Sequence, residues 1–233
     1  MRQIVLDTET TGLEVEQGHR VIEIGCVELM NRRVTRRDFH YYLQPDRDIE
    51  DGAIAIHGIS NEFLADKPRM RDVAEQFVEF VRGAELIIHN APFDVGFLNA
   101  ELGRLGARWG RLTDYCTVVD TLQMARERYP GQKNNLDALC KRLGIDNAHR
   151  ELHGALLDAR ILADVYLAMT GGQTALGLSD EAGDEGQTHA IVHRNVQRTA
   201  PIRVVRADAA ELDRHARMLE VIEKAGAGKR IWQ

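Results

Sequence analysis

The chain has 233 residues, 44% of them hydrophobic and 28% charged, with a net charge of −6 at pH 7. That is the composition of an ordinary soluble globular protein, long enough for one domain of about 150–200 residues with an extra segment, or for two small ones. No apolar run is long enough to span a membrane, and Met1-Arg2-Gln3-Ile4-Val5-Leu6-Asp7 lacks the apolar stretch and cleavage site of a signal peptide, so a cytoplasmic location is expected.

Residues 2–8 read as a short apolar strand, and Val21 to Met30 as a second, in which Val21, Glu23, Gly25 and Val27 alternate with Ile22, Ile24 and Cys26. A third runs from Val34 to Leu43 after the polar turn Asn31-Arg32-Arg33, and the short connections predict an antiparallel meander. The period then changes: Val73, Phe77, Val78 and Val81 recur at helical spacing over residues 70–82. Residues 85–89 form a buried strand, followed by a helix from Phe93 to Leu105. Residues 116–120 give another strand, and helices follow at 121–129, 135–143 and 154–169, ended by Pro130, Gly144 and Gly171-Gly172. This order predicts an α/β domain, a mixed β-sheet flanked by helices, over residues 1–171.

Composition shifts after Gly172. Residues 172–200 are rich in Gly, Gln, Thr, Asp and Glu, which predicts a flexible linker. In residues 201–233, Ile202, Val204 and Val205 suggest a short strand, and Leu212, His215, Leu219 and Ile222 form one apolar side of a helix. So short a segment cannot bury a core alone, and folding on a partner is expected. Residues 171–233 carry nine Lys and Arg against nine Asp and Glu, so the whole charge of −6 lies in residues 1–170, with 21 basic against 27 acidic side chains. An acidic body acts on a polyanion only where its carboxylates hold divalent cations, and by itself it binds DNA weakly. Cys26, Cys116 and Cys140 are far apart, odd in number and lack a CxxC pair, which argues against a disulfide framework or a zinc site.

The chemistry-bearing residues lie at element ends. Asp7 and Glu9 flank Thr8 at the end of the first strand, so both carboxylates share one face while Thr8 points away. Two acids side by side repel unless a cation lies between them. Asp94 starts the helix after the second buried strand, where an Asp is also a common helix-start residue. His153 and Asp158 are five positions apart, not stacked on one helix face. With His153 before the last helix and Asp158 in its second turn, both reach a common site. Such a set suits two-metal phosphodiester hydrolysis, with oxygen ligands for Mg²⁺ or Mn²⁺ and a histidine of suitable pKa to take the proton of the attacking water.

Three segments carry a family resemblance: Ile-Val-Leu-Asp-Thr-Glu-Thr-Thr-Gly at 4–12, His-Asn-Ala-Pro-Phe-Asp at 89–94 and Leu-His-Gly-Ala-Leu-Leu-Asp-Ala at 152–159. In this order they resemble the exonuclease motifs of the DEDDh family, and within it the proofreading subunits of bacterial replicative DNA polymerases. Residues 134–140 and 165–174 extend the likeness over nearly the whole chain. The resemblance implies an RNase H-like exonuclease fold and 3′→5′ hydrolysis with two divalent cations. It makes Asp7, Glu9, Asp94 and Asp158 the metal-binding acids and His153 the general base. Asp7, Glu9, His57 and Asp158 would contact the substrate, a single strand or frayed 3′ end of DNA. Read from its loop alone, His57 is an ordinary polar residue. Where the family often has Asp-Pro-Glu-Ala, this chain has Glu50-Asp51-Gly52-Ala53, so the contact of that glutamate is missing.

The same resemblance implies as partners the catalytic alpha subunit of the polymerase, bound by the C-terminal segment, a theta subunit on the exonuclease domain, and the sliding clamp. Gln173, Leu176 and Leu178 match a clamp-binding peptide, in which two apolar side chains enter a groove beside a glutamine amide. The alternatives are a DEDDh exoribonuclease, which uses the same metal chemistry, and a structural subunit without activity. The tail favours the polymerase subunit over the first, and the complete set of acids and histidine disfavours the second.

Overall fold

The apolar run Ile4-Val5-Leu6 forms the middle of β1 (Arg2–Thr10), the central strand of a five-stranded sheet with order β3-β2-β1-β4-β5. The computed structural model describes residues 1–148, 152–171 and 207–225. β2 (Val21–Met30) and β3 (Arg33–Tyr42) follow as an antiparallel meander, while β4 (Glu85–Ile88) and β5 (Thr117–Asp120) run parallel to β1. The sheet is therefore mixed, as the element order implies. The helices between the strands are α1 (Asp51–His57), α2 (Asn61–Leu64), α3 (Met70–Val81) and α4 (Ala91–Arg104), and α5 (Thr121–Arg128), α6 (Leu136–Leu143) and α7 (Ala155–Thr170) follow β5.

Alternation along the strands sorts the core into two layers. Ile4, Leu6, Ile24, Cys26, Leu86 and Ile88 face α3 and α4, whose Phe77 and Phe97 are fully enclosed. Val5, Val27, Leu29 and Ile87 face α6 and α7. α7 lies close to the sheet because Ala155, Ala159 and Ala163, one per turn, make up its inner stripe. At the start of α7 even an alanine on the strand has no room: a Cβ on Gly25 would stand 2.2 Å from the Leu156 amide nitrogen and 2.3 Å from the Ala155 carbonyl carbon. Gly25 pairs with Asp7 across β1 and β2, so this contact sets the start of α7 beside the strand end that carries the acids.

α1 and α2 were not legible in the sequence, which places His57 in a loop. α1 is only seven residues long, with Gly52 at its second position. It is fixed from outside, by the Glu50 amide donating to the Thr11 carbonyl at 3.0 Å and by Gly58 closing its end at φ 71°. All three cysteines are buried and no disulfide joins them. No helix among the described residues is long and apolar enough to cross a membrane. The chain divides into two compact units, Met1–Leu176 and Gly177–Gln233. In the second, α8 (Ala209–Ala225) is opened by a reciprocal cap between Asp208 and Glu211, and its Leu212, Met218, Val221 and Ile222 are exposed. The linker expected at 172–200, with Gln173, Leu176 and Leu178, and the strand expected at 202–205 lie outside the described residues.

Gly25→Ala should lower folding stability by about 1–3 kcal/mol, the usual effect of overpacking, and speed amide exchange in the first turn of α7. An unchanged urea midpoint would contradict the close approach.

Candidate active site

The end of β1 carries Asp7 and Glu9 on the α7 side of the sheet. Asp158 comes to them from the first turn of α7, one turn earlier than the sequence places it. His153, two residues ahead of that helix, has its Nδ1 3.5 Å from Asp158 Oδ2. Ligand atoms of Glu9, His153 and Asp158 all lie within 4.8 Å of one another. Glu9 and Asp158 are buried, whereas 46% of the His153 side chain is exposed. The His153 amide donates to the Ile56 carbonyl of α1 at 3.2 Å, which anchors the segment ahead of α7.

Asp94 enters from the other face of the sheet. It sits in the first turn of α4 and is 3% exposed. The Thr8 hydroxyl donates to its Oδ1 at 2.7 Å. Thr8 thus turns away from Asp7 and Glu9, as alternation requires, and by doing so reaches the next acid of the set. The sequence reading gave it no role. α4 begins abruptly, with Asn90 at φ 68° and its amide donating to Asp120 Oδ1 at 3.1 Å. Burial pushes the Asp94 carboxyl up to about 7; the Thr8 hydrogen bond opposes that rise and the charge of Asp120 adds to it.

Asp7, Glu9, Asp94, His153 and Asp158 all line one cleft of about 690 Å³. Its far wall is built from α5, the residues after it and the start of α6, and contributes Arg126 and Lys133, the only Lys or Arg side chains lining the cleft among the described residues. The loop that presents Lys133 is well braced. Arg142 donates to the Asn134 side chain at 3.1 Å and to the Lys133 carbonyl at 2.8 Å, and its guanidinium lies 4.5 Å from the centre of the Tyr129 ring.

His57 is the last residue of α1 and is buried, which corrects its reading as a loop residue. Its Nδ1 accepts from the Ile59 amide at 3.0 Å, so in the neutral ring the proton is on Nε2, which is enclosed without a well-formed hydrogen bond. Burial lowers its pKa from the usual histidine value, against opposing effects from the Thr10 main chain and Glu23. Gly52, where the family often has glutamate, has open space where a Cβ would stand.

The exonuclease (RNase_T) family model matches residues 4–166. The DNA polymerase III subunit epsilon of Salmonella typhimurium is 49% identical over 237 residues, covering 100% of this chain and 97% of its own. The chain belongs to the family of DNA polymerase III epsilon subunits. Among solved structures, exonuclease X in complex with 5′-overhanging duplex DNA is 28% identical, with a TM-score of 0.56 over 74% of this chain and 95% of its own. The nuclease domain of 3′hExo, described as a DEDDh family member bound to rAMP, shares the fold at 18% identity, with a TM-score of 0.62 over 72% of this chain and 90% of its own. The RNase H-like expectation holds. Exonucleases of this family work with divalent metal ions, and the donors here fit such a group, since Asp7, Glu9, Asp94 and Asp158 bring carboxylate oxygens into the cleft and hard cations prefer them.

The Asp94 carboxyl makes stability depend on pH. Unfolded, it releases its proton near its ordinary value of 3.8; folded without a cation, it keeps the proton to about 7. The folded state therefore binds more protons in that window, and stability falls as pH rises through it. Melting temperatures measured in EDTA from pH 4.5 to 8 should show this fall, and Asp94→Asn should flatten it. An identical slope in wild type and variant would contradict the assignment.

Proposed function

We propose that the chain removes mispaired nucleotides from DNA 3′ ends, as the proofreading exonuclease subunit of a replicative polymerase. The convergence of Asp7, Glu9, Asp94, His153 and Asp158 in one cleft carries this reading. Asp7, Glu9, Asp94 and Asp158 would hold two divalent cations, Mg²⁺ or Mn²⁺. Held there, such cations would supply a nucleophilic water near neutral pH and offset charge at the leaving 3′-oxygen. His153, half-exposed at the cleft and 3.5 Å from Asp158, takes the proton of the attacking water. Asp7, Glu9 and Asp158 also face the terminal nucleotide. The resemblance also assigns His57 to that nucleotide; its Nε2 is enclosed and the residue does not line the cleft, so this contact requires the end of α1 to shift when the strand binds. Arg126 and Lys133 steer the phosphates of the incoming strand along the far wall.

A second reading has one observation in its favour. His153 stands within the same cluster of ligand atoms as Glu9 and Asp158, so it is itself placed to be a ligand. His153→Ala separates the two. As a base, it should lose most turnover and retain Mn²⁺ binding, whereas Asp7→Ala loses hydrolysis by orders of magnitude together with metal affinity. Loss of Mn²⁺ binding in His153→Ala would make the residue a ligand. Purified protein incubated with 3′-labelled single-stranded DNA or RNA, with Mg²⁺ or EDTA, tests the function itself. Cleavage of RNA alone would favour the exoribonuclease alternative, and no cleavage of either would favour a structural subunit.

The chain would work in the cytoplasm within the replication machinery. Residues 201–233 bind the catalytic alpha subunit, for which the exposed apolar side chains of α8 are suited. Gln173, Leu176 and Leu178 give a weak contact to the sliding clamp, and a theta subunit covers part of residues 1–171. Truncation after Gly171 should leave single-strand exonuclease activity intact and abolish co-elution with the alpha subunit. Co-elution as tight as that of the full chain would refute the division of labour.

A further inference from the structure

Beside the acids lies a buried histidine that the proposed chemistry does not use. The His19 side chain is 2% exposed, with Nδ1 3.0 Å from the Thr11 hydroxyl and Nε2 3.1 Å from Glu50 Oε1. The turn after Glu9 lies directly on its ring: a Cβ on Gly12 would stand 2.3 Å from His19 Cε1. Thr11 is fully enclosed and every polar group it has is engaged. Its amide donates to the Arg20 carbonyl at 2.9 Å, its carbonyl accepts from the Glu50 amide at 3.0 Å, and its hydroxyl accepts from the Arg20 amide at 3.0 Å. The hydroxyl proton is then left for His19 Nδ1, so Nε2 carries the ring proton and donates to Glu50.

Glu50 is where α1 begins, and α1 bears on the site twice. It ends in His57, and its Ile56 carbonyl holds the His153 amide. Seven residues with a glycine near the start make too short a helix to hold its own position, so its placement depends on what grips it. We propose that His19 is a positioning residue: by bonding Thr11 and Glu50 together it fixes α1 against the strand end bearing Glu9, and through the Ile56 carbonyl of α1 it holds the His153 main chain, and so its ring, beside Glu9 and Asp158. The inference rests on the exonuclease reading. Small misplacements of reacting groups reduce rates steeply, so the effect belongs in turnover.

The test compares full-length His19→Ala, His19→Gln, Glu50→Ala and the His19→Ala/Glu50→Ala pair. Each is measured for melting temperature, for kcat and KM on 3′-labelled single-stranded DNA with Mg²⁺, and for Mn²⁺ affinity. Glutamine can make both bonds, its carbonyl accepting from Thr11 and its amide donating to Glu50. His19→Ala should lower kcat on the order of 10²-fold with Mn²⁺ affinity near wild type, and His19→Gln should recover most of it. Glu50→Ala should show a smaller loss, and the pair no more than His19→Ala alone, since both act through one link. A folded His19→Ala with kcat within about twofold of wild type would overturn the proposal, as would equal losses in the Gln and Ala variants, which would make the ring mere filling. Should His19→Ala fail to fold, Glu50→Ala decides: its side chain is 55% exposed, and wild-type kcat there would overturn the link. An inactive wild-type protein would overturn the exonuclease reading, and this inference with it.

Discussion

Carboxylates gathered in one cleft repel one another unless a cation lies between them. Burial adds to the difficulty at Asp94, whose carboxyl it pushes up to about 7, with the charge of Asp120 adding to the rise. Such an arrangement persists only where the rest of the fold supplies the stability that the site lacks. Here that support comes from β1, which is covered on one face by α3 and α4 and on the other by α6 and α7. Asp7 and Glu9 stand at the end of this central strand, and the helices that cover its two faces bring Asp94 and Asp158 to them.

The position at a strand end has a second consequence. Along β1 successive side chains alternate between the two layers, so no single face gathers all the acids. Asp7 and Glu9 meet Asp158 on one side of the sheet, while Thr8, on the other, meets Asp94 at 2.7 Å. Only beyond the edge of the sheet do the two groups share a space. β4 and β5 run parallel to β1 and end at the same edge, and the sheet changes from antiparallel to parallel pairing at β1. That is where open α/β sheets commonly place their ligands. Gly25 then decides how near Asp158 comes, because any side chain there would hold the start of α7 away from the sheet.

The strands and long helices were legible because their apolar periods are regular, and β2 runs over the residues the sequence indicates. The acids were legible as motifs, and the structure lines one cleft with them, Asp7 and Glu9 included. Thr8 was not, since pointing away from two carboxylates says nothing about a third arriving from a distant helix. α1 was hidden for a related reason. Its seven residues have no helical apolar period, and its place is set by Thr11, His19 and Glu50, contacts across the chain that no local window contains. His57 consequently read as a loop residue. The role of Gly25 was invisible too, because a glycine in a strand shows what it permits only when the neighbouring element is seen.

Charge distribution argues that catalysis and targeting are separate tasks in this chain. Residues 1–170 carry the whole net charge of −6, and among the described residues the cleft is lined by no Lys or Arg other than Arg126 and Lys133. Few phosphate contacts mean little counterion release, so the catalytic unit gains little affinity from the DNA backbone. Weak grip suits a proofreading site: an enzyme that held every 3′ end tightly would compete with synthesis on correctly paired termini. A tether resolves the conflict, because attachment to the polymerase converts encounter with the primer end into an intramolecular event governed by effective concentration. The second unit, with exposed leucine, methionine, valine and isoleucine on α8, has the composition for such an attachment and none of the acids of the site. On the proposed reading affinity would reside in one unit and chemistry in the other, which would leave the catalytic cleft free to select frayed ends by the energy needed to unpair them.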